Sequence, residues 1–527
     1  MWTGNAAAFQ FEPADPDMEI RWDNTVRYNV GVRVNDRDRT IGDTWTMQAG
    51  EYSFDQGDLV TNRVDLLTEF DFVIKKNYGF RLSGAAWYDA AYDDDVRGNP
   101  AFQAAGLGTT YPRNKFTSKV KRFYQQGGEL LDAFVFGRAQ FGQMPLDVRF
   151  GRHNIYWGES LFTPIHGVSY SQGPVNFSKS LATPGSEAKE LFLPLNQLSA
   201  VLRVSDTVSI AGQYQLEWKP FRLPEGGTYL SSSDLVFSGG TRTVTGVPFR
   251  GDLNSGPHAK PEDRGNWGLN SKITTDLGNF GVYYRNFDDR VPQILSSNGA
   301  LHNAYAENVG LAGVSFSTSV EGVAVAAEVV HRDDTVLNTA AGSPQLARGD
   351  TWHALVNAVA FIGRTPLFDA ASLLGELTYS RLDKVQGDRK AFFRHVDRAC
   401  PTRSEKDGCS TDDAWGLAFS FIPTWYQAFP SVDVTMPISY NRGLRGNSPV
   451  PFGGNEDAGS WSVGIGFDYK AKYKLDVAYT DYYGRYKKGP NPFAAVPGIG
   501  DTQVATSNGN GGIHDRGWLS VTFKTTF

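Results

Sequence analysis

EIRWDNTVRYNVGVRV, residues 19–34, places Ile20, Trp22, Val26, Tyr28, Val30, Val32 and Val34 on one parity and Glu19, Arg21, Asp23, Thr25, Arg27 and Arg33 on the other. Successive side chains of a strand point to opposite sides, so a period of two held this long marks a strand with one apolar and one polar face. Strands of soluble sheets run to about five or six residues. One of about sixteen suits a strand tilted across a bilayer and continued above it. NRVDLLTEFDFVIKK (62–76) repeats the pattern, with Val64, Leu66, Phe70, Phe72 and Ile74 opposing Arg63, Asp65, Glu69, Asp71 and Lys75, and KNYG then bends the chain into FRLSGAAWYDAAY (80–92).

Outward from these strands the pattern predicts others near 131–141, 146–153, 197–204, 208–218, 266–275, 278–287, 308–318, 322–331, 351–361, 371–382, 414–422, 431–440, 460–470, 474–483 and 517–527. The total is about eighteen, with sixteen or fourteen as alternatives if weak elements merge. Short connections (KNYG, FGQMP, SDT, DLGN, VEG, GRTPLFD, PTWYQAFPS, KAKY) alternate with long ones of about twenty to forty residues, which puts all long loops on one side. Short periplasmic turns with long extracellular loops are the asymmetry of outer-membrane barrels, whereas a sandwich or propeller has no reason to sort its loops. The last strand, GWLSVTFKTTF, carries Trp518, Val521, Phe523 and a terminal Phe527, as final strands of such barrels do. The expected fold is therefore all-β: a transmembrane antiparallel up-and-down β-barrel in the bacterial outer membrane, in contact with its lipid and lipopolysaccharide. Aromatic neighbours near strand ends (Trp87 and Tyr88, Tyr283 and Tyr284, Trp425 and Tyr426, Tyr482 and Tyr483) fit interfacial girdles, and fit cross-strand aromatic pairs anywhere in a sheet about as well.

Composition agrees. Aromatics make up 13% of the chain, mean hydropathy is −0.36, and the best apolar runs are pieces such as GVAVAA (322–327) and AVAFIG (358–363), far short of the roughly 20 residues a spanning helix needs. With 51 basic against 57 acidic residues and no basic block, nucleic acid is not an expected partner. Residues 1–8 read as the stub of an export signal, with Ala6 and Ala8 as an A-x-A cleavage site, leaving 9–527 as a single barrel domain. Cys400 and Cys409, in the hydrophilic stretch CPTRSEKDGC, read as a loop disulfide.

If the apolar parity faces lipid, Arg21, Asp23, Arg27, Asp65, Glu69, Asp71, Arg81 and Asp89 face the lumen. Their mixed signs suit a rigidifying salt-bridge lattice better than a selectivity filter, which shows rings of one sign. The connection NIYWGESLFTPIHGVSYSQGPVNFSKSLATPGSEAKELFLPLNQ (154–196) differs from the others in its buried-type residues. It is expected to fold into the barrel mouth as a plug or constriction, with Tyr156, Trp157, Glu159, Phe162, Phe177, Glu187, Glu190 and Phe192 as gate candidates and 185–192 as a short helical turn; an outer cap is the alternative. The loop 219–265 mixes aromatic, aliphatic and small residues and could join it in an apolar site.

Asp93, Asp94 and Asp95, and Glu456 and Asp457, offer oxygen ligands for loop-bound calcium, but without the spacing of an EF-hand. No other metal or cofactor is expected. His153 lies close in sequence to Glu159 and Ser160, yet spacing alone assembles no triad, and no G-x-S-x-G, H-E-x-x-H or C-x-x-C motif is present. The chain reads as a non-enzyme.

FDQGDLVTNRVDLLTEFDFVIKKNYGFRLSGAAWYDAAY (54–92), GRHNIYWGESLF (151–162), PGSEAKELFLPLNQLSAVLRV (184–204) and YQLEWKPFRLPEGGTYLSSSD (214–234) together resemble a family of proteobacterial outer-membrane proteins known as a domain of unknown function and common in pseudomonads. The likeness covers essentially the whole chain. It implies a periplasmic partner, an inner-membrane RND transporter of the MMPL type, and hydrophobic or lipidic cargo; it assigns no residue a role. A transport barrel for hydrophobic compounds is thus the leading expectation, with a diffusion porin for small polar solutes and a structural or adhesive surface barrel as alternatives.

Overall fold

In a computed structural model, the structure describes residues 9–11, 15–107, 111–186, 188–236, 241–244, 247–250, 260–387, 389–396, 399–400 and 402–527. The expected leader remnant, 1–8, lies outside the described residues, as does Glu187.

Eighteen strands form one antiparallel sheet that closes on itself. The first six are β1 (Met18–Arg33), β2 (Leu59–Ile74), β3 (Tyr78–Asp89), β4 (Gln126–Phe141), β5 (Met144–His153) and β6 (Leu195–Arg203). Next come β7 (Val208–Gln215), β8 (Trp267–Thr275), β9 (Gly278–Phe287), β10 (Val309–Val320), β11 (Val323–Val336) and β12 (Arg348–Ile362). The last are β13 (Ala370–Gln386), β14 (Asp413–Phe429), β15 (Val432–Thr435 and Ile438–Arg445), β16 (Gly459–Tyr469), β17 (Tyr473–Tyr483) and β18 (Trp518–Thr526). Each pairs with the next, and β18 returns to β1, with Val521 opposite Val30 and Trp518 opposite Arg33. The terminal residue joins the seam: Phe527 and Asn24 exchange backbone hydrogen bonds at 2.8 and 2.9 Å. A three-residue strand, Phe9–Phe11, joins the same sheet by pairing antiparallel with the turn-side end of β1, Phe9 opposite Trp22.

Parity sorts the wall as the sequence predicts. Trp22, Tyr28, Leu66, Leu130, Val282, Val314, Val356, Ile465 and Val521 are exposed on the outer face, while Arg27, Asn29, Arg63, Asp65, Asn357, Glu376 and Thr522 are buried within. A belt of apolar side chains around the molecule far exceeds what a soluble protein exposes, and a barrel that presents one spans a membrane. Closure leaves no strand edge in lipid, which is the requirement for β-structure to cross a bilayer and the hallmark of an outer-membrane barrel.

Three expectations need correction. First, both members of an aromatic pair cannot face lipid, because neighbours on a strand alternate: Tyr284 is 48% exposed but Tyr283 only 2%, and Trp87 and Tyr482 are likewise interior. The lipid-side aromatics instead pair across strands, as Tyr379 with Trp415 (ring centroids 4.7 Å apart), Trp461 with Tyr479 (5.3 Å) and Phe280 with Phe316 (4.8 Å). Second, PTWYQAFPS is not a turn: β14 runs through it to Phe429, leaving only Pro430 and Ser431 to bend, and Pro437, which has no N–H for the ladder, breaks β15 instead. Third, not every outer connection is long. Those at 337–347 and 446–458 have only eleven and thirteen residues, the first because β11 runs on to Val336 and β12 begins already at Arg348.

Val521 sits midway along β18 on the outer face. Val521→Arg is expected to cost about 2–4 kcal/mol, the penalty for a guanidinium at lipid depth, whereas Val521→Leu should be neutral. Denaturant titration of the protein refolded in vesicles reads the difference, and equal stabilities would mean that this face does not meet lipid.

Candidate functional site

The wall is uneven on one side. β4 begins at Gln126, but its pairing with β5 begins only at Ala133, because the chain leaves the sheet after His153 and returns at Leu195. Gly151 makes that departure possible: it has φ +119°, and a Cβ there would fall 2.5 Å from the Ala133 carbonyl oxygen. The segment 154–194 then crosses the barrel interior, touching inward-facing side chains of β1, β2, β7, β9, β11, β12 and β13.

Two wall carboxylates hold its first half. Glu328 of β11 accepts hydrogen bonds from the backbone N–H groups of Glu159, Ser160 (3.1 Å) and Val168 (2.6 Å). Glu376 of β13 accepts from Leu161 (2.6 Å), Phe162 (3.2 Å) and Thr163 (2.8 Å), and from the Thr163 hydroxyl. Asn357 of β12 donates to the Glu159 carbonyl (2.7 Å). Neither glutamate has an ion-pair partner among the described residues, so main-chain amides supply the compensation, each charge-assisted bond contributing about 1.5–3 kcal/mol. Gly158, φ +91°, lets the chain pass close over Glu328, whose Oε1 would lie 2.5 Å from a Cβ at that position.

The segment's carbonyls meet cations. Arg285 donates to Val168 (2.9 Å) and Tyr170 (2.6 Å), Arg290 to Ser171 (3.1 Å) and Arg332 to Ile165. The Tyr170 hydroxyl donates to Asp289 at 2.7 Å. His166 and His353 face each other at 3.0 Å through their Nδ1 atoms. Their partners fix the protons: Nε2 of His166 must donate to the Gly453 carbonyl (2.9 Å), so His353 Nδ1 is the donor between the rings, and Thr351 donates to His353 Nε2 (3.0 Å).

The second half is tied by charge. Arg27 bridges Glu190 (3.0 Å) and Asp65 (3.3 Å) and donates to the Gly185 carbonyl (3.1 Å), while Lys179 reaches Asp65 (3.4 Å) and Glu190. Arg63 also binds Asp65, at 2.9 Å. Lys189 pairs with Glu69, and Arg81 with Glu69, Asp71 and Asp132. Of the other wall residues proposed from parity, Arg21 pairs with Asp23 near the turns (2.6 Å), and Asp89 caps the turn Ala90–Tyr92. Among the gate candidates, Trp157 is buried against Tyr283, and Tyr156 meets Phe192 edge-on (ring centroids 5.6 Å apart). Phe177 opens the helix Phe177–Ala182 between Phe221 (5.4 Å) and Phe452 (5.7 Å). Phe162 remains partly exposed. Glu328, Glu376, Arg285 and Arg332 were missed; the available signal was a charged residue at inward parity with apolar or small neighbours before it in its strand.

Three cavities lie on the turn side of the segment. The largest, about 690 Å³, is enclosed by Phe134, Phe136, Tyr156, Leu161, Phe177, Phe192 and Phe221, with Asp71, Arg81, Asp132, Arg149 and Lys189 at its margin. A second, about 580 Å³, shares Phe136, Arg149, Ile155 and Tyr156 with it, and Lys76, Arg138, Asp147, Trp157 and Arg203 are among its other lining residues. A third, about 510 Å³, is bounded by Glu159, Arg203, Asp206 and Lys272.

Loops roof the opposite end. Buried Glu51 binds Arg33 (3.1 Å) and Arg516 (2.6 Å), joining the connections 34–58 and 484–517 over the β1–β18 seam, and Arg516 also holds the Tyr229 and Ser231 carbonyls. Alongside, Asp38 accepts from Tyr486 (2.6 Å) and faces His514 (3.4 Å). The hydrogen bond between them holds the Asp38 carboxyl well below its usual range and pushes His514 up to about 9. Burial, aided by Glu51, raises Asp515 to about 6. Cys400 and Cys409 are disulfide-bonded in the connection 387–412. The carboxylates considered for calcium meet other partners: Asp457 lies between Arg442 and Arg485, Glu456 accepts from Gly446, Asp93 from Tyr88 and Gln125, and Asp95 faces Lys115. His153 is bonded to Ser199 (2.8 Å) and the Gly151 carbonyl, not to Ser160.

A family model described as "Protein of unknown function (DUF1302)" matches residues 1–527. Curated proteins give no match. Solved structures with a similar fold include OccAB3 of Acinetobacter baumannii (10% identity, TM-score 0.45, covering 96% of this chain and 99% of that one). Others are OpdK of Pseudomonas aeruginosa with vanillate (7%, 0.40, 96% and 98%) and OccK2 (OpdF) of the same organism in complex with glucuronate (9%, 0.39, 96% and 97%).

Replacing Glu328 and Glu376 together by alanine should abolish hydrogen-exchange protection across 157–168 while the strands stay protected; retained protection would show that packing alone fixes the segment. For the roof, His514 is held above its ordinary value of about 6.5, so its stabilisation is complete below that pH and is lost as pH rises through about 9. Asp515, already ionised there, contributes nothing to that window. Proteolysis of the outer loops should therefore accelerate on the alkaline side of pH 9, and His514→Gln should remove the dependence.

Proposed function

Since the chain belongs to DUF1302, a family of proteins of unknown function, we propose that its barrel carries hydrophobic or lipidic compounds across the outer membrane, with 154–194 as its gate. The observation that carries this reading is the aromatic and aliphatic lining of the 690 Å³ cavity beneath that segment, inside a barrel whose wall is otherwise polar. An aqueous pore has no use for such a lining, whereas a ligand site is concave, largely apolar and marked by a few polar groups. The gate's fastenings fit the role: amide-to-carboxylate bonds and ion pairs exchange for water more readily than a packed apolar core does. The family resemblance adds a periplasmic partner and an RND transporter, for which the short turns at the cavities' open side are the docking place.

A diffusion porin is the competing reading, favoured by the two charged cavities on the turn side, and eighteen strands suffice to enclose a channel. Single-channel conductance in a planar bilayer separates the two, comparing the intact chain with one lacking 157–190. A closed intact barrel that conducts after the deletion supports the gate; large steady conductance from the intact chain overturns it and leaves the porin.

A further inference from the structure

The charges around the large cavity are almost all spent. Arg81 is shared among Glu69, Asp71 and Asp132, and Lys189 pairs with Glu69. Arg149 is different. It projects inward from β5 between Phe136 and Ser199, its guanidinium lies 5.7 Å over the Phe134 ring, and it makes no ion pair or hydrogen bond with any described residue. It also stands where the 690 and 580 Å³ cavities meet, lining both.

The surroundings favour an anion at that point. The second cavity is lined by Lys76, Arg138, Arg149 and Arg203 against a single carboxylate, Asp147, which Arg138 (2.6 Å) and Arg203 (3.2 Å) already bridge. A wall of one predominant sign with low-dielectric sides focuses its field on what enters. On its other side Arg149 faces the rings of Phe134, Phe136, Phe177 and Phe192 across a space that offers no further unpaired cation. A planar guanidinium with free donors matches a carboxylate through two parallel hydrogen bonds.

We propose that the cavity selects amphipathic anions, taking an apolar body among the aromatic rings while Arg149 binds a carboxylate head at the neck between the two cavities. This rests on the hydrophobic-cargo reading and narrows it. The test uses the full chain in nanodiscs, with protein-free nanodiscs subtracted, and two probes: cis-parinaric acid, whose fluorescence rises on binding, and its alcohol, which has the same chain without the charge. The wild-type protein should bind the acid at least tenfold more tightly than the alcohol, the scale of one hydrogen bond to a charged group. Arg149→Gln should bring the acid down to the alcohol's affinity and leave the alcohol unchanged, and Arg149→Lys should restore part of the difference. Because Arg149 holds no structural partner, heat-modifiable mobility on gels should show each variant folded. Equal binding of acid and alcohol by the wild type, or no effect of Arg149→Gln, overturns the anion selectivity and spares hydrophobic transport. Binding of neither probe overturns both.

Discussion

A strand that crosses a bilayer can send its backbone hydrogen bonds only to its neighbours, because lipid accepts none of them. Everything else in this molecule follows from that constraint. The ladder must close, so β18 meets β1 and the chain's final residue is drawn into the seam. Closed strands alternate, so the polar parity of every strand is turned inward, and the interior becomes crowded with arginines, aspartates and glutamates that must find partners in one another.

The interior segment resolves much of that crowding. Its first half offers amides to Glu328 and Glu376 and carbonyls to Arg285, Arg290 and Arg332; its second brings Lys179, Lys189 and Glu190 to Arg27, Asp65 and Glu69. The same chain thus serves as counter-charge for the wall and as lid for an apolar cavity. It is held by polar bonds to the wall as well as by apolar packing of Trp157, Ile165, Val168 and Tyr170. The roof of outer loops is built differently, around the aromatic cluster of Phe54, Tyr92, Tyr111, Phe116, Tyr124 and Tyr229.

The barrel was legible because strand parity recurs through eighteen strands and short turns alternate with longer loops between them, so errors at single strands cancel. Errors arose where one residue decides. Adjacent aromatics such as Tyr283 and Tyr284 were grouped by type, although alternation must separate them. In PTWYQAFPS the prolines suggested a turn, but Pro423 sits inside β14, and the interruption falls on Pro437 of the partner strand. The unusual character of 154–196 was visible in its apolar residues. Its fastenings were not, since Glu328 and Glu376 are isolated in sequence and acquire meaning only when a backbone more than 150 residues away is laid against them.

Those separations also set an order of events in assembly. The amide of Leu161 waits for Glu376, 215 residues later, and His166 for the carbonyl of Gly453, 287 residues later. The segment therefore has its full set of partners only when strands from both halves of the chain are in place. Contacts this distant are slow to form, since loop closure must precede their reward. Once in place they staple early strands to late ones from within, so the segment is an internal mandrel against which the wall is braced.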